Sequence, residues 1–369
     1  MRALFLALTL LPSLAFAWGF DGHRKLASLM QDAMPAGHCL RTWFSAKQTY
    51  ALQDHACDPD RWKDNDFSKP DNEKEWPRHF LDVDYATPPD AYPRDFAAVQ
   101  AWRPQYAYSN GIVPWYVETK YGELVAAFRA KDEAAILDAA FLLSHYASDA
   151  MSILHSTKNF DPHQLPDGGD GLHWRWESEM FFANSHVTGM AAAAQTYLGT
   201  AGVADPRNNT FDLVLVGNGL VDDLLAADLA SDGGADSLYN ASKELTARRW
   251  ADAIVFMSSL LWSAWNDAGR PELAGFSSTC SRAAPVGDPV VNGFPPPGGF
   301  THDTDGGTWD AGTDEDAGTT GGGSGATGGG TGSVTGGGWT WGGGSASTGG
   351  GGDVVPEGCS CTGAPGALF

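Results

Sequence analysis

Two histidine–carboxylate pairs in the sequence have the spacing of one helical turn. His145 and Asp149 lie in the segment LLSHYASDAMSILHSTKN, and His173 and Glu177 lie in GLHWRWESEM. Side chains four residues apart share one face of a helix, so each pair can contact a common ion. His155 follows where the first helix is expected to end, so its ring could turn toward the same cavity. Imidazole nitrogens and carboxylate oxygens suit Zn²⁺, and the two pairs therefore predict a metal site between helices.

Further candidate ligands lie upstream of these pairs. The segments CDPDRWK and WPRHFLDVDY contribute Asp60 and His79, with Asp58 as the alternative to Asp60. His23 ends the segment AFAWGFDGH. Each of these residues alone is more often structural, and a single helical His–Asp pair is usually a surface ion pair. The segment around His145 is apolar, however, and a buried charge needs a partner or an ion.

The first 17 residues, MRALFLALTLLPSLAFA, have the features of a secretory signal peptide. A charged start precedes an apolar run too short to span a bilayer, and Ala15-Phe16-Ala17 forms a small-residue cleavage site. Cleavage after Ala17 would make Trp18 the first residue of the mature protein, with a free α-amino group. We expect the product to be secreted or held at the cell surface.

The rest of the chain divides into an apolar part and a glycine-rich part. Helical apolar spacing recurs in the segments 120–131, 133–152, 174–198 and 235–268, without sustained alternation, which predicts an all-α domain over 18–275. From 276 to 369 the sequence is rich in Pro, Gly, Thr and Ser, which predicts a disordered tail. Its final GCSCTGAPG is similar to the start of a bacterial C-terminal sorting motif that is truncated here, and an untargeted flexible tail is the alternative.

Net charge and cysteine spacing exclude several classes of protein. The formal charge of −22 argues against stable binding to duplex DNA or to anionic bilayers. No second apolar run approaches the length of a membrane span, so we expect a mature chain without a transmembrane segment. We also expect a monomer. The five cysteines form no zinc-thiolate motif, and Cys39 could pair with Cys57 or with Cys280.

Taken together, these residues resemble the superfamily of zinc-dependent phospholipases C and single-strand-specific, P1-type nucleases. The resemblance covers roughly residues 18–268 and rests on the order of its motifs: an N-terminal tryptophan after a signal peptide, HFxD, HxxxD with a histidine six residues later, and HxxxE. It implies a single multi-helix domain and three zinc ions. The implied metal ligands are Trp18, His23, Asp60, His79, His145, Asp149, His155, His173 and Glu177.

The resemblance also implies how these ligands are shared. One ion would take Asp60, His79, His145 and Asp149. Another would take His155, His173 and Glu177. The third would take the α-amino nitrogen and carbonyl oxygen of Trp18 together with His23, with Asp149 as a bridge. Asp60 and Asp149 are the predicted catalytic residues.

The expected reaction is hydrolysis of a phosphate ester by in-line attack of activated water. Glu177 and its HWRWES context are similar to the phospholipase branch, so a secreted phospholipase C-like phosphodiesterase is the first hypothesis. The alternative is a single-strand-specific nuclease or nucleotidase, in which Phe80 and Asp82 would bind a base. For Phe80, core packing is the competing interpretation. A third hypothesis is a secreted zinc-binding surface protein without turnover.

Overall fold

The computed structural model describes residues 18–63, 66, 68–162 and 171–290. The predicted signal peptide and the predicted tail from 291 onward lie outside the described residues. Within the described ranges the chain contains α-helices and short 3₁₀ turns and no β-strand, which confirms the all-α prediction. The α-helices are α1 (Gly19–Leu29), α2 (Cys39–Lys47), α3 (Tyr50–His55), α4 (Asp58–Trp62), α5 (Phe96–Trp102), α6 (Val113–Ala130), α7 (Glu133–Asp149), α8 (Leu172–Glu177), α9 (Asn184–Thr196), α10 (Pro206–Asn218), α11 (Val221–Ala230) and α12 (Ala235–Asp267).

Two helices begin and end close to the residues that the apolar pattern indicates. Helix α7 starts at Glu133 because the Asp132 side chain accepts a hydrogen bond from the Ala135 N–H, which caps the helix. It ends at Asp149, so His155 lies beyond it in a 3₁₀ turn, Leu154–Ser156. Helix α12 covers the predicted segment 235–268 almost completely.

The single helix predicted over 174–198 is wrong. Helix α8 ends at Glu177, a 3₁₀ turn follows at Glu179–Phe181, and α9 begins at Asn184. The break is at Ser178, whose backbone has φ −119° and ψ −61°. The sequence has no glycine or proline there, so the apolar pattern alone does not show the break.

Helix α12 is the centre of the core. It packs against α1, α6, α7, α8, α9 and α11. Because it is covered on most sides, its C-terminal half is almost continuously buried, and Trp250 and Trp265 are fully buried. This arrangement holds α7 and α8, which carry the two histidine–carboxylate pairs, against a rigid support.

Residues 276–290, which the predicted boundary assigns to the tail, lie against the helical body. Cys280 forms a disulfide with Cys39 at the start of α2, and the Gly287 N–H donates to the Ala201 carbonyl. Cys57 is buried and is not in a disulfide. Of the described helices, none combines the length and the apolar character needed to cross a bilayer.

Candidate metal centre

His145 and Asp149 lie on the last two turns of α7 and are completely buried. Their side chains face the same side of the helix, with 3.2 Å between His145 Nε2 and Asp149 Oδ2. The other ring nitrogen of His145, Nδ1, lies 2.7 Å from the Ala56 carbonyl oxygen, which fixes the ring orientation. The predicted helical pair therefore exists, and it points into the interior.

Three other elements bring ligands to this pair. His23 comes from α1, Asp60 from α4 and His79 from a 3₁₀ turn. His79 Nδ1 lies 2.7 Å and His23 Nε2 lies 3.3 Å from the two oxygens of Asp149. Asp60 Oδ1 lies 3.7 Å from His145 Nε2, and the His23 and His145 rings stack with centroids 4.0 Å apart. We call these five residues the first ligand group.

His155, His173 and Glu177 form a second ligand group. Helix α8 places His173 Nε2 2.7 Å from Glu177 Oε2, and His155 Nε2 approaches the same oxygen to 3.5 Å. The Ser152 hydroxyl donates to the other oxygen of Glu177. The second ligand group adjoins the first, since His155 Nδ1 lies 2.8 Å from the backbone carbonyl of His79.

The polar atoms of these groups fit cations better than they fit each other. Ligand atoms fall within 4.8 Å of one another in three sets, of which the first two share His145: His23, Asp60 and His145; His79, His145 and Asp149; and His155, His173 and Glu177. Buried side-chain atoms normally form hydrogen bonds, yet several atoms in these sets form none. Among them are His23 Nε2 and Asp149 Oδ1, which lie 3.3 Å apart, and His173 Nε2 and Glu177 Oε2, which lie 2.7 Å apart, each pair without the geometry of a hydrogen bond. These buried groups could therefore hold metal ions.

The pKa values of four of these ligands also favour metal binding. Burial of the His23 and His79 rings disfavours their protonated forms, which lowers the pKa of His23 and brings that of His79 to about 3. Burial would raise the pKa of Asp149, but His145 and His23 outweigh it and hold that pKa well below its usual range. Burial also opposes ionisation of Glu177, and His173 and His155 reverse this and lower its pKa. At His145 and His155 the neighbouring carboxylates outweigh burial and raise the pKa, that of His155 to about 9. Metals bind neutral imidazoles and ionised carboxylates, so these two rings would release a proton when a metal binds.

Glu75 is a buried acid at this site that the sequence analysis missed. Its Oε1 accepts a hydrogen bond from the Tyr146 hydroxyl at 2.5 Å, and its Oε2 accepts one from Arg78 at 2.5 Å. Oε1 also lies 3.7 Å from His79 Nε2, on the side of the ring opposite Asp149. Glu75 and His79 are four residues apart, as are His145/Asp149 and His173/Glu177. Glu75 directly precedes the 3₁₀ turn Trp76–His79. Because this turn is short, no helical apolar pattern accompanies the spacing of the two residues.

Lys63 is the second residue whose role only the fold shows. Its ammonium group lies 2.6 Å from Asp60 Oδ1, and its side chain is 9% exposed. The positive charge of Lys63 is one reason that the pKa of Asp60 is lowered despite burial. Asp58, the alternative to Asp60, lies outside the ligand groups and instead contacts His55 and Arg61.

Trp18 is held next to the first ligand group by its side chain. Its indole N–H donates to the Ser148 carbonyl at 2.8 Å, and its ring is fully buried against Trp176 and Trp250. Its carbonyl oxygen accepts the Gly22 N–H at 3.1 Å, which starts α1 and leads to His23. Trp18 thus lies beside the part of α7 that carries the ligands.

Phe80 and Asp82 follow His79 along the chain. The Phe80 ring is half-buried and stacks on Trp76, with centroids 5.4 Å apart and planes 16° apart. Asp82 is buried, and its Oδ1 has no hydrogen-bond partner. Burial, aided by the charge of Asp84, raises the pKa of Asp82 to about 8.

Comparison with known proteins gives no independent assignment: no family model matches the chain, and no curated protein matches it. The site is therefore defined by its own geometry. Eight side chains from four helices and two 3₁₀ turns converge in the interior, and several of their polar atoms form no hydrogen bond. Such a set could hold metal ions.

Proposed function

We propose that the protein is a secreted, trinuclear zinc hydrolase of phosphate esters, acting as a phospholipase C-like phosphodiesterase of the superfamily that its motifs resemble. The observation that carries this proposal is the convergence of the two ligand groups, with buried ligand atoms that have no hydrogen bond. A single structural zinc needs four ligands, and here there are eight side chains. A surplus of this size favours several ions in one site.

Each ion has an assigned set of ligands in this proposal. Asp60, His79, His145 and Asp149 would hold one ion, and the second ligand group would hold another. The α-amino nitrogen and carbonyl oxygen of a cleaved Trp18 would join His23 on the third, with Asp149 shared between two ions. The two oxygens of Asp149 already face different histidines, Oδ1 toward His23 and Oδ2 toward His79. That is the geometry a bridging carboxylate needs.

Zinc bound in these groups would lower the pKa of water and neutralise negative charge on the phosphoryl oxygens. The chain itself positions the reacting groups. Asp60 and Asp149 are the proposed catalytic residues, because their ionised carboxylates can accept a hydrogen bond from the attacking water. The Lys63 ammonium, 2.6 Å from Asp60, holds that carboxylate ionised. Burial of the ligands limits access of other water molecules to the site.

A phospholipid fits the surroundings of the site. The net charge of −22 opposes long-range attraction of a polyanion such as nucleic acid. Phe160, which is 55% exposed, contacts the ring of His173, with centroids 5.9 Å apart, so an exposed aromatic ring borders the second ligand group. The disulfide between Cys39 and Cys280 supports export to an oxidising compartment. We infer that the protein acts as a monomer on phospholipid outside the cell.

A single-strand-specific nuclease or nucleotidase is the second candidate. The stacked rings of Phe80 and Trp76 provide an aromatic platform next to His79, and Asp82 lies two residues further on. Such platforms bind unstacked bases of any sequence. A zinc-binding surface protein without turnover is the remaining candidate.

The test compares three substrates and two matched variants. The purified mature protein should hydrolyse a chromogenic phosphodiester and phosphatidylcholine vesicles, and a chelator should abolish both activities. Loss of a hydrogen-bond partner of a metal ligand typically lowers activity by about 10–100-fold. Asp149→Asn changes a proposed ligand itself, so it should lower turnover by more than this. The control Asp58→Asn, outside the ligand groups, should change turnover by less than about twofold. Preference for single-stranded DNA would instead support the nuclease, and bound zinc without any hydrolysis would support the non-catalytic protein.

A further inference from the structure

An unusual surface lies beside the second ligand group. Arg103 is surrounded by aromatic rings, with its guanidinium carbon 4.0 Å from the ring centre of Tyr85, 5.2 Å from that of Tyr106 and 5.6 Å from that of Trp102. The Lys158 ammonium lies 5.6 Å from the ring centre of Tyr85. We call these five residues the aromatic–cationic patch.

The two cations of the patch lack carboxylate partners. In the part of the chain that the structure describes, neither Arg103 nor Lys158 forms an ion pair with a carboxylate, although the sequence has 45 acidic and 23 basic residues. Lys158 Nζ donates to the backbone carbonyl of Asp84. The Asp84 carboxylate accepts hydrogen bonds from the Thr157 hydroxyl and the Lys158 N–H. In so acidic a protein, two adjacent cations without a paired acid are suited to an external anion.

Two rings of the patch are exposed beside the two cations. Trp102 is 43% exposed and Tyr106 is 52% exposed. Both carry a polar atom at the edge of an apolar ring, and such side chains are enriched at the boundary between water and lipid. Trp and Tyr with a few Arg or Lys residues are also the composition of surfaces that lie on a bilayer.

The patch is continuous with the ligands. Lys158 is three residues after His155, and the exposed ring of Phe160, two residues further, contacts His173. The Leu81 N–H donates to the His155 carbonyl at 2.9 Å, which ties the segment leading to Tyr85 to the same turn. A surface bound to the patch would therefore lie close to the second ligand group.

We propose that the aromatic–cationic patch docks the protein on a zwitterionic phospholipid surface. Head-group phosphates would accept hydrogen bonds from Arg103 and Lys158, while Trp102 and Tyr106 enter the interface. Two cations on a chain of charge −22 are too few to hold a nucleic acid strand, whose binding depends on several phosphate contacts. A zwitterionic bilayer has no net charge to repel the protein. This inference rests on the proposed function, because it states that the substrate of the metal site is a phospholipid within a bilayer.

The experiment separates docking from hydrolysis. Docking is measured by sedimentation with vesicles of a phosphonate analogue of phosphatidylcholine, in which carbon replaces the oxygen that hydrolysis would release. The test variant is W102A/Y106A, and the control is Tyr50→Ala, which removes a ring that is 68% exposed in another helix. Turnover of a soluble chromogenic phosphodiester is measured for each protein, and it reports on the proposed function alone.

We expect W102A/Y106A to bind the vesicles at least about tenfold more weakly, because it removes both exposed rings from the interface. Tyr50→Ala should bind as the unaltered protein does, and both variants should keep soluble turnover. Equal vesicle binding by W102A/Y106A and the unaltered protein would overturn the inference, as would no vesicle binding by either. Binding of a single-stranded oligonucleotide that W102A/Y106A loses would assign the patch to nucleic acid and overturn it too. If the unaltered protein does not hydrolyse the soluble phosphodiester, the proposed function is refuted. The vesicle-binding comparison still decides whether the patch docks on phospholipid.

Discussion

The imidazole of His79 has a carboxylate on each side. Asp149 lies 2.7 Å from Nδ1, and Glu75 lies 3.7 Å from Nε2. Histidines that bind metal usually direct their second nitrogen at a carboxylate, a carbonyl or water, which fixes the tautomer and the ring orientation. The hydrogen bonds from Tyr146 and Arg78 hold Glu75 in place for this role.

Glu75→Gln should therefore weaken metal binding by about 10–100-fold without unfolding the protein. The amide keeps the shape of the side chain but removes the charge beside His79. Zinc affinity is measured by competition with a chromogenic chelator. Glu73→Gln, an exposed neighbour in the preceding 3₁₀ turn, is the matched control and should leave the affinity unchanged. Equal affinities in the two variants would show that Glu75 does not support His79.

Asp82 predicts a pH dependence of stability. Burial, with the charge of Asp84, raises its pKa to about 8 in the folded protein, above the value of about 3.9 in an unfolded chain. Between these values the folded state binds more protons than the unfolded state, so the contribution of Asp82 to stability is lost as pH rises toward 8. Asp82→Asn lacks this group, so its free energy of unfolding should fall by less than that of the unaltered protein between pH 5 and pH 8. The difference is at most about 4 kcal/mol, at about 1.4 kcal/mol per pH unit.

The measurement is the free energy of unfolding in denaturant at both pH values. Asp90→Asn, at an exposed position, is the control and should decline with pH as the unaltered protein does. If Asp82→Asn also declines to the same extent, the Asp82 carboxyl ionises without penalty in the folded protein.

At the scale of the element, α1 depends on a close approach between Gly22 and Trp18. A Cβ atom on Gly22 would lie 2.9 Å from the Cβ of Trp18, which has a left-handed backbone with φ 54°. Gly22→Ala should therefore displace Trp18 and lower stability by about 1–3 kcal/mol. Gly122→Ala in α6, where a Cβ would meet nothing within 4 Å, should raise stability by about 0.5–1 kcal/mol. Thermal unfolding of both variants tests this, and a shift in the same direction for both would contradict it.

Helical spacing explains why much of the site could be predicted from the sequence. The pairs His145/Asp149 and His173/Glu177 lie on α7 and α8 because residues four apart in a helix share one face. The choice of Asp60 over Asp58 follows only from the fold, since both lie on α4 and only Asp60 faces the other ligands.

Contacts between distant segments could not be predicted in the same way. The pairing of Cys39 with Cys280 spans 241 residues, and no local pattern distinguishes it from a pairing with Cys57. The break between α8 and α9 at Ser178 likewise depends on how the chain packs rather than on a residue that ends helices. The roles of Glu75 and Lys63 depend on the same three-dimensional packing.

At the scale of the whole molecule, maturation at the N-terminus should complete the site. Ser148 and the rings around Trp18 hold this residue beside α7. A free α-amino group there could bind a cation together with the carbonyl oxygen, whereas a peptide nitrogen could not. A protein that retains one methionine before Trp18 should bind one zinc ion fewer and lose most of its turnover. Mass spectrometry of the N-terminus, metal analysis and turnover test this together, and full activity of the extended protein would contradict it.

The account depends on metal binding by the two ligand groups, so the metal content of the purified mature protein is the most direct test. Protein purified without added metal and passed through a desalting column is analysed by inductively coupled plasma mass spectrometry against its measured concentration. We predict close to three zinc ions per chain, with a lower content in Asp149→Asn and no change in Asp58→Asn. One ion or none in the folded, correctly processed protein would contradict the trinuclear site and the phosphate-ester chemistry proposed for it.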